Sequence, residues 1–368
     1  MMQTHSLRSR AALAPLIALA LALSACGGPA PGGPGDPDPD PDPDPTGVTP
    51  AILFLGDDSG ILQVLHSTST GIAARAPLVL PEDAEPCGSA AHDGRLYVGD
   101  YWNEVIYAYD LEAAIGGGVV SPLATATPNV SGIVEPCGLA FDSNGDLWVG
   151  DFSSGNRVLT FTDPATWSGD ESPTPSRILT MSSAGSFQSW VDVVDVAFDD
   201  DGNLWVVDEW YETITRIDDP TSLPADATNT VPSLQIVDVE VPPSDGLSYS
   251  LYLPNSVAIG PDGMVYVGND WSSTNLITRY DDVGLVDTTG QVELVPGAYI
   301  VAPAPLTRSF SVGFDPDGRL WVADRARLHR LTGYTGDGVV NAGSGDSIAL
   351  AGATTYYGGM TWVAWSGD

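Results

Sequence analysis

One motif occurs five times along the chain and limits what the chain can fold into. GLAFDSNGDLWVGD (Gly138 to Asp151) returns as GSAAHDGRLYVGD (Gly88 to Asp100), DVAFDDDGNLWVVD (Asp195 to Asp208), SVAIGPDGMVYVGN (Ser256 to Asn269) and SVGFDPDGRLWVAD (Ser311 to Asp324). Each copy reads as a hairpin: an apolar run, a tight turn on Asp or Asn with Gly, then an alternating strand centred on an aromatic. Gly94, Gly145, Gly202, Gly263 and Gly318 close the turn, where a positive φ costs glycine nothing. Three residues later stand Tyr97, Trp148, Trp205, Tyr266 and Trp321. A large ring at one place in every unit suits a sheet covered on both faces. The turn glycines are 51, 57, 61 and 55 residues apart, the length of four short strands and their loops.

A sixth copy is divided between the two ends. Ala51 to Asp57, AILFLGD, matches the second half of the hairpin, with Phe54 at the aromatic place. Gly359 to Ala364, GMTWVA, matches the first half and then stops. The expected fold is therefore all-β, a six-bladed β-propeller over residues 51–368. Its C-terminal strand joins the N-terminal blade, which also removes open sheet edges. The longer excursions, Ser168 to Gln188 and Asp219 to Tyr252, read as surface loops between blade strands and as places where specificity could lie.

Before the repeats come Arg8, Arg10 and an apolar run, Ala11 to Ala25, too short to span a bilayer and right for a signal segment. Leu23-Ser24-Ala25-Cys26 resembles the box of bacterial lipoproteins, which implies that residues 1–25 are removed and Cys26 is lipidated. Residues 26–50 are then a Gly, Pro and Asp tether, with DPDPDPDPDP from Asp36 to Pro45. Proline and like charges keep such a segment extended. The implied address is the cell envelope, on the periplasmic or cell-surface side, with the membrane as a partner through the lipid on Cys26. A monomer is expected.

Charge excludes more than it identifies. The chain carries 48 acids against 13 basic residues, a net charge of −35, and every basic residue is Arg. Nucleic acid is not a partner for such a surface. Schiff-base chemistry and a phosphate-loop lysine have no residue to use. No Ser/His/Asp motif is visible, and His66, His92 and His329 fall on a turn or on third strands. Turn sequences such as Asp199-Asp200-Asp201-Gly202 lack the later glutamate of a Ca²⁺ loop and read as hairpin chemistry.

Cys87 and Cys137 occupy equivalent places, Glu85-Pro86-Cys87-Gly88 and Glu135-Pro136-Cys137-Gly138. In an exported protein such a pair suggests a disulfide, provided the Cα atoms approach within about 6.8 Å. Two free thiols are the other outcome.

PCGLAFDSNGDLWVGD with its following NRVLTF, and PNSVAIGPDGMVYVGND, resemble NHL-repeat propellers and the gluconolactonase-like lactonases, over nearly all of residues 51–368. The resemblance implies six blades and a divalent cation, usually Ca²⁺, at the ring centre. Pro254-Asn255 resembles the family's ligating asparagine, and Glu135 a glutamate before another inner strand. Asp195 and Glu85 stand at neighbouring places able to face the channel mouth. Elsewhere the pattern departs, because the places aligned with Asn255 hold Cys87, Cys137, Val194 and Phe310.

Two further sets are candidates for the loop face. The acid closing the second strand recurs as Asp100, Asp151, Asp208, Asn269 and Asp324, either a polar rim or a set of Asx caps, the second being the simpler reading. Asn269-Asp270 resembles the Asn/Asp pair of paraoxonase-type propellers. Trp102, Trp210 and Trp271 follow that acid, as ligand platforms or, in the preferred reading, as plugs between blades. Two functions stay open. One is a tethered, non-catalytic propeller that binds a protein, glycan or small ligand at its loop face. The other is a Ca²⁺-dependent lactonase or esterase.

Overall fold

The computed structural model describes residues 49–57, 59–68, 71–153, 155–181, 187–227, 230, 232–237, 251, 253–269, 276–281, 290–294, 296–302, 311–324, 327–350 and 360–365. The signal and tether expectations, Cys26 included, lie outside the described residues, as do Asp270, Trp271 and Phe310. Among the described residues no helix is long and apolar enough to cross a membrane.

Six sheets form the six blades of a propeller. Blade 1 takes its innermost strand from Met360–Ala364, followed by Ala51–Asp57, Ile61–Thr68 and Leu78–Val79. The innermost strands of blades 2 to 6 are Pro86–His92, Pro136–Phe141, Val193–Phe198, Pro254–Ile259 and Ser311–Phe314. These strands touch one another in turn around the axis, and Met360–Ala364 touches both blade 6 and blade 2. The ring is thus closed by the C-terminal strand, antiparallel to Ala51–Leu55, with Leu53 opposite Trp362. Trp362 is buried against Trp321 of blade 6, ring centroids 5.3 Å apart. On the other side the Thr361 hydroxyl donates to the Ser89 carbonyl at 2.7 Å and accepts from the Ser89 hydroxyl.

The hairpins follow from their turn chemistry. Gly94, Gly145, Gly202, Gly263 and Gly318 have φ between 70° and 82°, the left-handed region where a side chain would be strained. The ring at the centre of each second strand is at most 1% exposed, from Phe54 to Trp321. A buried indole or phenol needs a polar partner, and the turn supplies it. Nε1 of Trp148, Trp205 and Trp321 donates to Asp142, Asp199 and Asp315 at 3.0, 2.9 and 2.7 Å. The Tyr266 hydroxyl donates to Asp262 at 2.8 Å. The same acids accept N–H groups of their own turns, for example Asn144 and Asp146 on Asp142. One acid therefore shapes the turn and satisfies the core aromatic beneath it.

The excursions read as surface loops contain strands. Gly169–Glu171 runs parallel to Ala124–Ala126 of blade 2, and Asp226–Ala227 parallel to Ile178–Leu179 of blade 3. The same arrangement recurs where Gly118–Val119 meets Leu78–Val79, where Gly290–Glu293 meets Leu234–Val237, and where Gly338–Asn341 meets Ala298–Val301. Blades 1 to 5 thus each receive a parallel outer strand from the chain of the next blade. The physical reason is the fourth strand's open edge, whose unpaired N–H and C=O groups need partners. The described strands Gly169–Glu171 and Asp226–Ala227 therefore belong to the outer rim, while residues 182–186 and 238–250 of the two excursions lie outside the described residues.

Candidate functional site: the loop face and the ring centre

The closing acids do not point at solvent. Asp100, fully buried, accepts at Oδ1 from the backbone N–H of Glu85, Trp102 and Asn103, each at 3.1 Å. Its Oδ2 accepts from the Asn103 amide at 2.7 Å and the Tyr107 hydroxyl at 3.2 Å. Asp151 accepts from Glu135 N and Ser153 N, both at 3.0 Å, and from Arg157 Nε at 2.6 Å. Asp208 accepts from Val191 N, Asp192 N and Tyr211 N. Asp324 accepts from Arg327 N at 2.7 Å. Asn269 turns the pattern round, its amide donating to the Val267 and Leu276 carbonyls at 3.2 and 3.3 Å. Asp100, Asp151 and Asp208 thus each tie two loops of the blade together, Asp324 caps its own turn and Asn269 ties neighbouring strands, which is the arrangement of the simpler, capping reading and not of a polar rim.

What the acids fix is exposed and aromatic. Trp102 is 64% and Trp210 66% exposed, so neither plugs a gap between blades. Tyr211 is 37% exposed beside Trp210, and Ile133 57% exposed on the loop entering blade 3. The Ile133 carbonyl accepts from Arg157 Nη2 at 2.6 Å and from the Ser153 hydroxyl at 3.0 Å. Arg157 is buried and also reaches the Ser131 carbonyl at 2.9 Å, so this loop is clamped from below. Trp102 forms one wall of an open cleft of about 620 Å³ between blades 1 and 2. Val79, Leu80, Pro81, Glu82, Asp83 and Glu85 are among its other walls.

At the ring centre the backbone decides what fits. Blades 2 to 5 each carry a register shift at the start of the innermost strand. A bulge of this kind frees one residue from pairing and re-aims its side chain. Cys87 and Cys137 sit at these bulges and form a disulfide, with Cα atoms 4.7 Å apart. Side chains of adjacent bulges therefore meet. Val194 packs in the same apolar cluster as the two cysteines. Asn255 is the next in order, fully buried, with neither amide atom hydrogen-bonded among the described residues.

One residue further along, the strands touch backbone to backbone. A Cβ on Gly88 would lie 2.1 Å from the Cys137 carbonyl oxygen, and one on Gly138 2.6 Å from the Asp195 Cα. Asp195, at the equivalent place in blade 4, is fully buried and does not face the channel mouth. Its carboxyl accepts from Val196 N and, across the blade boundary, from Val257 N, both at 2.8 Å. Burial raises its pKa well above the usual carboxylate range, outweighing the two N–H groups.

These positions can be tested against a central Ca²⁺, which takes about six to eight oxygens. Of the bulge residues described, two are tied in a disulfide, one is valine, and only Asn255 has an oxygen to give. Asp195 is engaged between blades. Glu85 accepts a hydrogen bond from the Tyr101 hydroxyl, and Tyr101 also lies in the field of Glu135. Among the described residues no group of three His, Cys, Asp or Glu could hold a metal. The set expected at Glu135, Asn255, Asp195 and Glu85 does not fit the ion. His66 and His329 stand on the third strands of blades 1 and 6, away from the axis. Burial lowers the pKa of both.

Sequence reasoning missed Tyr101, the turn acids under the indoles and the Asp195 bridge. A signal for the last existed: Asp195 stands where blades 2 and 3 have glycine because no side chain fits.

No family model matches the chain, and no curated protein matches it. Among solved structures, that of a nidogen/laminin complex is similar at 16% identity, over 86% of this chain and 99% of that one, with a TM-score of 0.54. A streptogramin B lyase is similar at 15% identity, over 85% and 91%, with a TM-score of 0.47. A candidate gluconolactonase is similar at 17%, over 74% and 79%, with a TM-score of 0.44. Likeness at these identities is a likeness of fold, and the chain is a β-propeller with such neighbours.

Proposed function

We propose that the domain is a non-catalytic binding module, held at the cell envelope through a lipid on Cys26, whose loop face takes a protein, glycan or small ligand. The observation that carries this reading is Trp102, 64% exposed at the edge of a 620 Å³ cleft on a loop locked by a buried carboxylate. Large exposed rings held rigidly are what binding faces use, because little conformational freedom is lost on contact. Trp210, Tyr211 and Ile133 extend the same character to blades 3 and 4. The described bulge residues of the ring centre are two disulfide cysteines, a valine and Asn255, so the exposed aromatics of the loop face are the stronger support.

Glycan and peptide arrays probed with the full chain test the reading. Ligands retained by the wild type should be lost in Trp102→Ala or Trp210→Ala, and hits indifferent to both would refute it. The unsatisfied amide of Asn255 is the one observation on the side of a Ca²⁺-dependent lactonase or esterase. Stoichiometric Ca²⁺ by metal analysis, with ester hydrolysis lost in Asn255→Ala, would replace the binding reading by that one.

A further inference from the structure

The cleft beside Trp102 narrows the class of ligand. Taking the loop face as a binding surface, we infer that this cleft receives an organic cation, an ammonium or guanidinium group carried on an apolar body. Three independent features converge there. The first is the space itself, about 620 Å³, open to solvent at the boundary of blades 1 and 2. The second is the indole: Trp102 is the most exposed aromatic of blade 2, and its backbone N–H and that of Asn103 are both bonded to Asp100, which fixes the loop that carries the ring. An exposed ring face attracts a cation through its quadrupole, and tryptophan does so best.

The third feature is the sign of the charge. Glu82, Asp83 and Glu85 line the cleft, and among the described residues none of its walls is basic. A bound anion would meet three uncompensated carboxylates, whereas a cation meets an attractive field with low-dielectric walls that focus it. Glu85 is also positioned. Its backbone N–H donates to the same Asp100 Oδ1 that holds Trp102, and its Oε2 accepts from the Tyr101 hydroxyl. Burial and the neighbouring carboxylates push the Tyr101 pKa upward, so the hydroxyl keeps its proton and goes on donating. One buried acid thus sets the spacing between an aromatic face and a carboxylate. Val79, Leu80 and Pro81 supply the apolar wall for the body of the ligand.

Calorimetric titration of the full chain with choline, its neutral isostere 3,3-dimethyl-1-butanol and a neutral-flanked peptide bearing one arginine tests the inference. Choline should bind about tenfold or more tighter than the alcohol, and Trp102→Ala should weaken it by about tenfold. Glu82→Gln and Asp83→Asn should each weaken it by about two- to fivefold, and raising salt should weaken it further. Thermal melts confirm that these exposed substitutions leave the fold intact. An arginine peptide binding tighter than choline identifies a protein side chain as the source of the cation, and the reverse order a free small molecule. Equal affinity for choline and the alcohol, or choline binding unchanged in Trp102→Ala, overturns the cation inference and leaves an aromatic binding face. Failure of both cations to bind at millimolar concentration overturns it too, while the wider reading is judged by the arrays alone.

Discussion

Replacing Asp100 separates a residue that builds the loop face from one that touches a ligand. Its carboxylate is fully buried and takes five hydrogen bonds, three of them from backbone N–H groups of two different loops. Alanine leaves all five donors to find water in a partly closed space. Each buried donor left unsatisfied costs about 1–3 kcal/mol, and regained hydration of the outer ones keeps the sum near the low end, about 3–5 kcal/mol. With an unfolding entropy of about 2.1 cal/mol/K per residue over residues 51–368, that is a fall in Tm of about 5–8 °C. Asparagine keeps an oxygen for the backbone groups but turns its amide toward the Asn103 amide, a donor facing a donor. Its cost should be about 1–2 kcal/mol, or about 2–3 °C. Scanning calorimetry at neutral pH should therefore rank wild type above Asp100→Asn above Asp100→Ala, with ligand retention at Trp102 falling in the same order. Both variants melting within about 1 °C of wild type while binding is lost would refute the reasoning and return Asp100 to the ligand.

Other substitutions probe the centre and the closure. Breaking the Cys87–Cys137 bond in Cys87→Ser/Cys137→Ser frees a loop of 50 residues in the unfolded chain. By loop-closure entropy this should cost about 4 kcal/mol, read from urea unfolding under non-reducing conditions. Burial pushes the Asp208 carboxyl up to about 7 against three backbone N–H groups. Its protonated form is thus favoured by folding, so this share of stability is whole below about pH 4 and is lost as pH rises toward 7. Asp208→Asn should remove about 1.4 kcal/mol per pH unit of dependence across that window, measured as the difference between the two pH–stability curves. Deleting residues 360–368 strips Ala51–Leu55 of its inner partner strand, exposing that edge, and should yield aggregated protein in size-exclusion chromatography. A soluble monomer would show that the ring needs no clasp. Trp205→Phe leaves Asp199 without its indole partner and should cost about 1–2 kcal/mol in urea unfolding, with the m-value unchanged.

The ring was legible in the sequence because its evidence is local and repeated. A turn glycine needing positive φ, an aromatic three residues on, and two half-copies at the chain ends each have one physical reading. The parallel outer strands were not legible, since Gly169–Glu171 and Asp226–Ala227 have loop composition and are strands only because a blade edge waits beside them. The site shows the same division. That the closing acids cap turns follows from their type and place, but the exposure of Trp102 and Trp210 does not, because an aromatic after a strand can lie inward or outward. The direction is set by what the acid holds. Asp100 draws the backbone of Glu85 and of Trp102 to one oxygen, and the ring carried by that anchored loop is left largely in solvent. The exposure of the aromatic on this face is therefore tied to a fully buried residue behind it.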